Sequence, residues 1–131
     1  MNFEQILAYL QADGWPIERL GTNTARSRFK GRARSFPFFV HTDATYLTLL
    51  CVPYARLPAE ELRAKALMDR LLHLNRELNM AKFAVDDDGD VVLAVDYPLA
   101  DLDNSEVRDA LDVMSFYADK HWEEVSALAA G

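Results

Sequence analysis

The stretch Lys82-Phe83-Ala84-Val85-Asp86-Asp87-Asp88-Gly89-Asp90-Val91-Val92-Leu93-Ala94-Val95-Asp96-Tyr97 decides the fold. Two runs rich in valine and aromatics, Lys82 to Asp86 and Asp90 to Tyr97, flank a short acidic segment ending in glycine. Aspartates bond to nearby backbone, and Gly89 supplies the positive φ that a tight turn needs. The stretch therefore reads as a β-hairpin. Phe83, Val85, Val91, Leu93, Val95 and Tyr97 can share one face, because side chains alternate along a strand. Ala84, Val92 and Ala94 put small residues on the other. The pattern predicts one deeply packed face and one that lies close to something flat.

Working outward, a helix follows from about Asp103 to Leu128, with Asp103 or Ser105 as its cap. Val107, Leu111, Met114, Ala118, His121, Val125 and Leu128 recur at helical spacing and mark its buried stripe, with Tyr117 and Trp122 beside it. Before the hairpin, a helix runs from about Pro58 to Leu78. Proline suits its first turn, and Glu60 and Glu61 suit its positive end. Leu62, Ala66, Leu67, Leu71, Leu74 and Leu78 form its main stripe, widened by Met68 and Leu72. That is more apolar surface than packing on one sheet face needs. It points to a homodimer, with Leu67, Met68, Leu71 and Leu72 as the expected interface.

The first helix runs from about Asn2 to Asp13. Asn2 and Gln5 are placed for a capping box, Phe3, Ile6, Leu7 and Leu10 form a stripe, and Gly14 ends it. Arg19 to Ser35 reads as extended, with breaks available at Gly21 and Gly31. Phe36 to His41 and Tyr46 to Val52 are strands joined by Thr42-Asp43-Ala44-Thr45. The second is apolar on both faces and so central, and Pro53 and Pro58 bracket its exit. The order is α-β-β-β-α-β-β-α. It predicts an α+β protein whose largely antiparallel sheet is packed by helices.

With 131 residues, half of them apolar, the chain fits one domain over residues 1–131 and needs no disulfide or metal staple. Met1 to Leu10 carries Glu4 and no basic cluster, unlike a signal peptide, and no apolar run approaches the ~18 residues of a membrane span. One cysteine, Cys51, fits a reducing compartment, so the expected location is the cytoplasm. The net charge of −7 conceals an asymmetry: residues 1–70 sum to +3 and residues 71–131 to −10. An acidic total argues against broad nucleic-acid binding but not against a local basic site.

Catalytic and metal patterns fail on inspection. An EF-hand loop with its glycine at Gly89 would begin at Ala84 and end at Val95, and neither offers the required oxygen. Cys51 sits between Leu50 and Val52, where a thiol packs rather than reacts. His41, His73 and His121 lie on different elements without metal-ligand spacing. No glycine-rich phosphate loop and no Gly-x-Ser-x-Gly occurs. Asp109 and Asp112 fit a solvated helix face. No cofactor is expected, and the chain does not read as an enzyme.

The sharpest local feature is basic. Arg26, Arg28, Lys30, Arg32 and Arg34 occupy alternate positions, so an unbroken strand would project all five from one face. One reading is a charged outer face that guards an edge strand against aggregation. The other is an anion-binding ribbon for an acidic protein segment, the acidic half of a second subunit, or nucleic-acid phosphates. Nearby Phe29, Phe36, Phe38 and Phe39 fit core packing, although aromatics beside a basic strip also stack on bases.

The segments Leu71-Leu72-His73-Leu74-Asn75-Arg76-Glu77-Leu78, then Ala81 to Leu93, then Tyr97-Pro98-Leu99, together resemble the YbjN family, which carries the label of a bacterial sensory transduction regulator. The marks are an asparagine late in the second helix, Phe-x-x-Asp-x-x-Gly-x-Val-x-Leu, Pro-Leu, and a closing aromatic helix. The same segment is similar to the small type III secretion chaperones, which share the element order. The resemblance covers about residues 57–128 by sequence and the N-terminal half by element order alone. It implies a homodimeric, non-enzymatic, chaperone-like or adaptor protein that binds other proteins in a regulatory or stress-response role. The secretion chaperones hold an extended client along their surface. A nucleic-acid-associated protein using residues 26–34, and a small-ligand sensor with a pocket between sheet and helices, remain the alternatives.

Overall fold

The computed structural model describes all 131 residues. The elements are α1 (Phe3–Ala12), β1 (Glu18–Arg19), β2 (Thr24–Lys30), β3 (Ser35–Thr42), β4 (Tyr46–Arg56), α2 (Glu61–Asn75), β5 (Ala81–Val85), β6 (Asp90–Pro98) and α3 (Asn104–Ala130). The order is the expected one with a two-residue strand added at the front. The long extended region breaks at both glycines, yielding β1, β2 and a turn at residues 31–34. The six strands form one antiparallel sheet in the order β1-β2-β3-β4-β6-β5. No helix is long and apolar enough to cross a membrane.

Local chemistry sets most boundaries. Asn2 with Gln5, and Asp103 with Glu106, form capping boxes at α1 and α3. The second helix starts later than its proline suggests. The carboxylate of Glu60 accepts from the N–H groups of Leu62 and Arg63 at 3.0 Å each, so Glu60 is the cap and Pro58 stays outside. In the β5–β6 turn, Asp86 accepts from the N–H groups of Asp88 and Asp90, and Gly89 adopts φ +79°.

One strand outruns its expected end. β4 continues through a cis Val52–Pro53 bond to Arg56, with a register shift against β6 between Cys51 and Ala55. Pro53 offers no N–H, and the bulge absorbs it rather than ending the strand. The bulge also turns Tyr54 inward. Its ring packs on Phe36, Phe83 and Trp122 with centroids 5.4–5.8 Å away, and its hydroxyl donates to the Ala118 carbonyl at 2.6 Å.

All three helices share one side of the sheet. A single core cluster contains Ile6 and Leu10 of α1, Leu67 and Leu74 of α2, and Leu111 and Met114 of α3. The strands meet them with one set of alternating positions, such as Phe38, Leu49, Leu93 and Val95. The other side of the sheet carries no helix. There, the cross-strand row Arg26–Phe39–Leu50–Ala94–Lys82 lies beside a second row, Thr24–His41–Thr48–Asp96. Phe39, Leu50, Val52 and Val92 are half-buried on this side.

The two edges of the sheet differ. At β5, Asn75 on α2 donates to the Phe83 carbonyl at 3.0 Å and accepts the Phe83 N–H at 2.7 Å. These are the two bonds a neighbouring strand would make at Phe83. Asn75→Ala is therefore expected to lower the unfolding free energy by about 1–3 kcal/mol, since it leaves two backbone groups without their partner. Asn75→Asp keeps the acceptor and falls between. Urea unfolding followed by circular dichroism reads this, and an unchanged midpoint for Asn75→Ala contradicts it.

Candidate functional site

The basic strip divides into three parts. Arg26, Arg28 and Lys30 are exposed on β2 and project to the helix-free side, alternating with Ala25, Ser27 and Phe29. Arg26 is paired with Glu18 at 2.8 Å. Arg28 and Lys30 have no carboxylate partner. Arg32 and Arg34 leave the strand, contrary to five charges on one face. Gly31 N–H bonds to the Arg34 carbonyl at 2.8 Å and reverses the chain. Arg32 then reaches α3, where its backbone N–H and its Nε each donate to Asp119 at 2.8 Å. Arg34 lies over Phe36 and Trp122, 5.1 and 4.8 Å from their ring centroids.

Gly31 permits this departure. A Cβ there would sit 2.7 Å from the Phe36 ring and 2.8 Å from Asp119 Oδ1. Only a residue without a side chain lets the turn approach α3 so closely. The strip that remains free is thus Arg28 and Lys30, beside an apolar sheet centre.

The second expected surface, on α2, also divides. Leu67 and Leu71 are buried in the chain's own core and face the sheet. Met68 is 38% and Leu72 67% exposed, and Leu62 reaches 74%. The helix period placed all these residues near one another, and packing decided which stripe turned inward. The outward stripe Glu61, Lys65, Met68, Leu72 and Arg76 recurs at spacings of three or four residues, acidic at its start and basic at its end.

The groups that could carry reaction chemistry are buried. Burial pushes the Cys51 thiol up to about 12, against a small opposing effect of Arg34. Burial likewise raises Tyr54, whose hydroxyl is already committed to Ala118. No cluster of three His, Cys, Asp or Glu side chains is placed to hold a metal ion. His121 is buried between Phe83 and Tyr117, with Nε2 lacking a hydrogen-bond partner. Sequence reasoning missed two residues that shape the surfaces. Tyr54 was hidden by an apparent strand end at Pro53. Asn75 was visible only as a mark of resemblance, without its bonds to Phe83.

Comparison with solved structures defines the class first. A chain of the heterodimeric ExoU–SpcU complex from the type III secretion system of Pseudomonas aeruginosa matches with TM-score 0.60 and 17% identity, covering 93% of this chain and 95% of that one. At that identity the likeness is one of fold, and the fold is type III secretion chaperone-like. The chain belongs to the YbjN family: the family model, described as "Putative bacterial sensory transduction regulator", matches residues 2–126. The match takes in the N-terminal half, which the sequence marks reached only through element order. No curated protein matches the chain.

His121 gives stability a pH dependence. Its pKa lies below the ordinary imidazole value, first because burial disfavours the cation and then because Lys120 and Arg70 oppose it, against the pull of Glu124 and Glu77. The unfolded chain therefore takes up a proton that the folded chain resists. The contribution of His121 is full above about pH 6.5 and falls as pH drops below it. Asp43, Asp103 and Asp119, all held low by hydrogen bonds, add their own loss only below about pH 4. Urea midpoints measured from about pH 8 to pH 5 are expected to decline in the native chain and to flatten in His121→Phe. Parallel slopes for the two proteins contradict the assignment.

Proposed function

We propose that this protein is a non-enzymatic, chaperone-like binder of partner proteins, working in the cytoplasm in a regulatory role. The observation that carries the reading is the helix-free side of the sheet. Phe39, Leu50, Val52 and Val92 lie half-buried there around Ala94, bordered by Arg28 and Lys30 without ionic partners. A contiguous apolar patch with a polar rim is the usual form of a protein-interaction surface. The family's description as a regulator and the fold's occurrence in a two-protein secretion complex support the same reading. The net charge of −7 weighs against nucleic acid as the main partner.

Self-association through α2 belongs to the same reading. Two antiparallel copies would bring Glu61 of one helix to Arg76 of the other, with Met68 and Leu72 between them. A two-fold axis makes each such contact twice. Leu67 and Leu71 would support this surface from beneath, and Met68 and Leu72 would form it.

Leu50→Asp places a charge at the centre of the open side. It is expected to reduce recovery of partner proteins from the native cell by about tenfold, as for a residue at an interface core, with the circular dichroism spectrum unchanged. Undiminished recovery contradicts the reading, and so does recovery that disappears on nuclease treatment. Leu72→Glu is expected to convert a dimer to a monomer in sedimentation velocity. A native chain that sediments as a monomer at high concentration removes the dimer and leaves partner binding untouched.

A further inference from the structure

The two edges of the sheet lead to a more specific conclusion. Both ends of β2 bond to the β3 side: Thr42 N–H donates to the Asn23 carbonyl at 3.0 Å and Gly31 N–H to the Arg34 carbonyl at 2.8 Å. The intervening register is unbroken. Antiparallel pairing alternates, so the odd-numbered residues of β2 bond to β3 and the even-numbered ones direct their N–H and C=O outward. Thr24 follows this rule, since its carbonyl accepts from Leu20 and Gly21 on the outer side. Arg26 is covered by Glu18 of β1.

Continuing the β1 register one pair further would set Pro16 opposite Arg28. Proline has no N–H to donate, and the pairing stops there. The outward backbone groups of Arg28 and Lys30 are thus left without a strand. They belong to the same two residues whose side chains have no ionic partner. At the opposite edge Asn75 occupies the middle position of β5, Phe83, which an added strand would have to displace, whereas nothing occupies the β2 edge at Arg28 and Lys30.

The surroundings are shaped for one. A cleft of about 340 Å³ lies at the start of β1, lined by Pro16, Ile17, Ser27 and Arg28 and by the Glu18–Arg26 ion pair, and the buried Oγ of Ser27 has no hydrogen-bond partner. On the other flank a groove of about 900 Å³ runs between the β2–β3 turn and α3; Phe29 and Phe116 are its two apolar side chains, among polar ones that include Lys30, Arg32, Asp112, Asp119 and Lys120. Phe116 is 59% exposed.

We propose that the free edge of β2 at Arg28 and Lys30 accepts an extended acidic segment of a partner protein as an additional antiparallel strand. This deepens the partner-binding reading and rests on it. Residues opposite Arg28 and Lys30 project to the same side as those cations and are acidic. Residues between them project to the helix side, toward Phe29 and Phe116, and are apolar. The segment therefore alternates acidic and apolar residues. A second copy of the same edge is disfavoured, because its Arg28 and Lys30 would meet like charges. Outward N–H and C=O groups at strand spacing match a peptide backbone rather than phosphates.

The test uses the full chain and a short synthetic peptide alternating Glu and Val. Its controls are a Lys–Val peptide and a Glu–Val peptide N-methylated at alternate residues. Amide hydrogen exchange followed by NMR is expected to show Arg28 and Lys30 exchanging fast in the free protein and slowly with the Glu–Val peptide. Phe29, bonded to β3, stays slow throughout. Arg28→Glu with Lys30→Glu is expected to weaken the peptide by about tenfold, as two lost partial-strength ion pairs would. Phe116→Ser weakens it without altering the fold, and neither control peptide binds comparably. The proposal is overturned if no peptide binds, if Arg28 and Lys30 stay unprotected in the complex, or if the N-methylated peptide binds as well. Partner recovery that survives the double substitution but is lost in Leu50→Asp removes the edge site alone and leaves the broader function standing.

Discussion

Tyr54 holds the arrangement on which the rest depends. Its ring sits among Phe36, Phe83 and Trp122, and its hydroxyl reaches the Ala118 carbonyl of α3. A buried tyrosine hydroxyl without a partner is costly, so this one bond ties the bulge of β4 to the middle of the longest helix. With α3 fixed across the sheet, α1 and α2 complete a single core on that side. None of the three helices lies on the other side. The open sheet face is therefore a consequence of how the core is anchored.

The edges follow from the same economy. A sheet with one packed side still exposes two borders, and unpaired borders invite unwanted pairing. At β5 the chain supplies Asn75, whose amide stands in for a strand at Phe83. At β2 it supplies a two-residue strand that Pro16 stops, followed by two unpaired cations. One border is occupied at its middle residue by a neutral side chain. The other is left open to backbone and filtered by charge, which makes the molecule asymmetric in a way that suits one class of partner.

Much of this was legible in the sequence where the signal was local. The turn at Asp86 to Gly89, the capping pair Asn2–Gln5, the choice of Asp103 or Ser105 as a cap, and the element order all depend on residues a few positions apart. What escaped depended on distant neighbours. Pro53 reads as a strand end unless β6 is there to accept a bulge. Arg32 and Arg34 read as part of a strand unless Asp119 and Trp122 are known to lie beside the turn. Leu67 and Leu71 share a helix with Met68 and Leu72, and periodicity alone cannot say which pair faces inward. Asn75 stood out by resemblance, but its bonds to Phe83 need the hairpin folded against α2.

The central claim is that partners dock on the helix-free side of the sheet. A photo-crosslinking residue placed in turn at Leu50, on that side, and at Arg108, exposed on the outer surface of α3, tests it directly in the native cell. The account predicts discrete crosslinked proteins from position 50 and none of the same proteins from position 108. The same products from both positions, or products from position 108 alone, would contradict it.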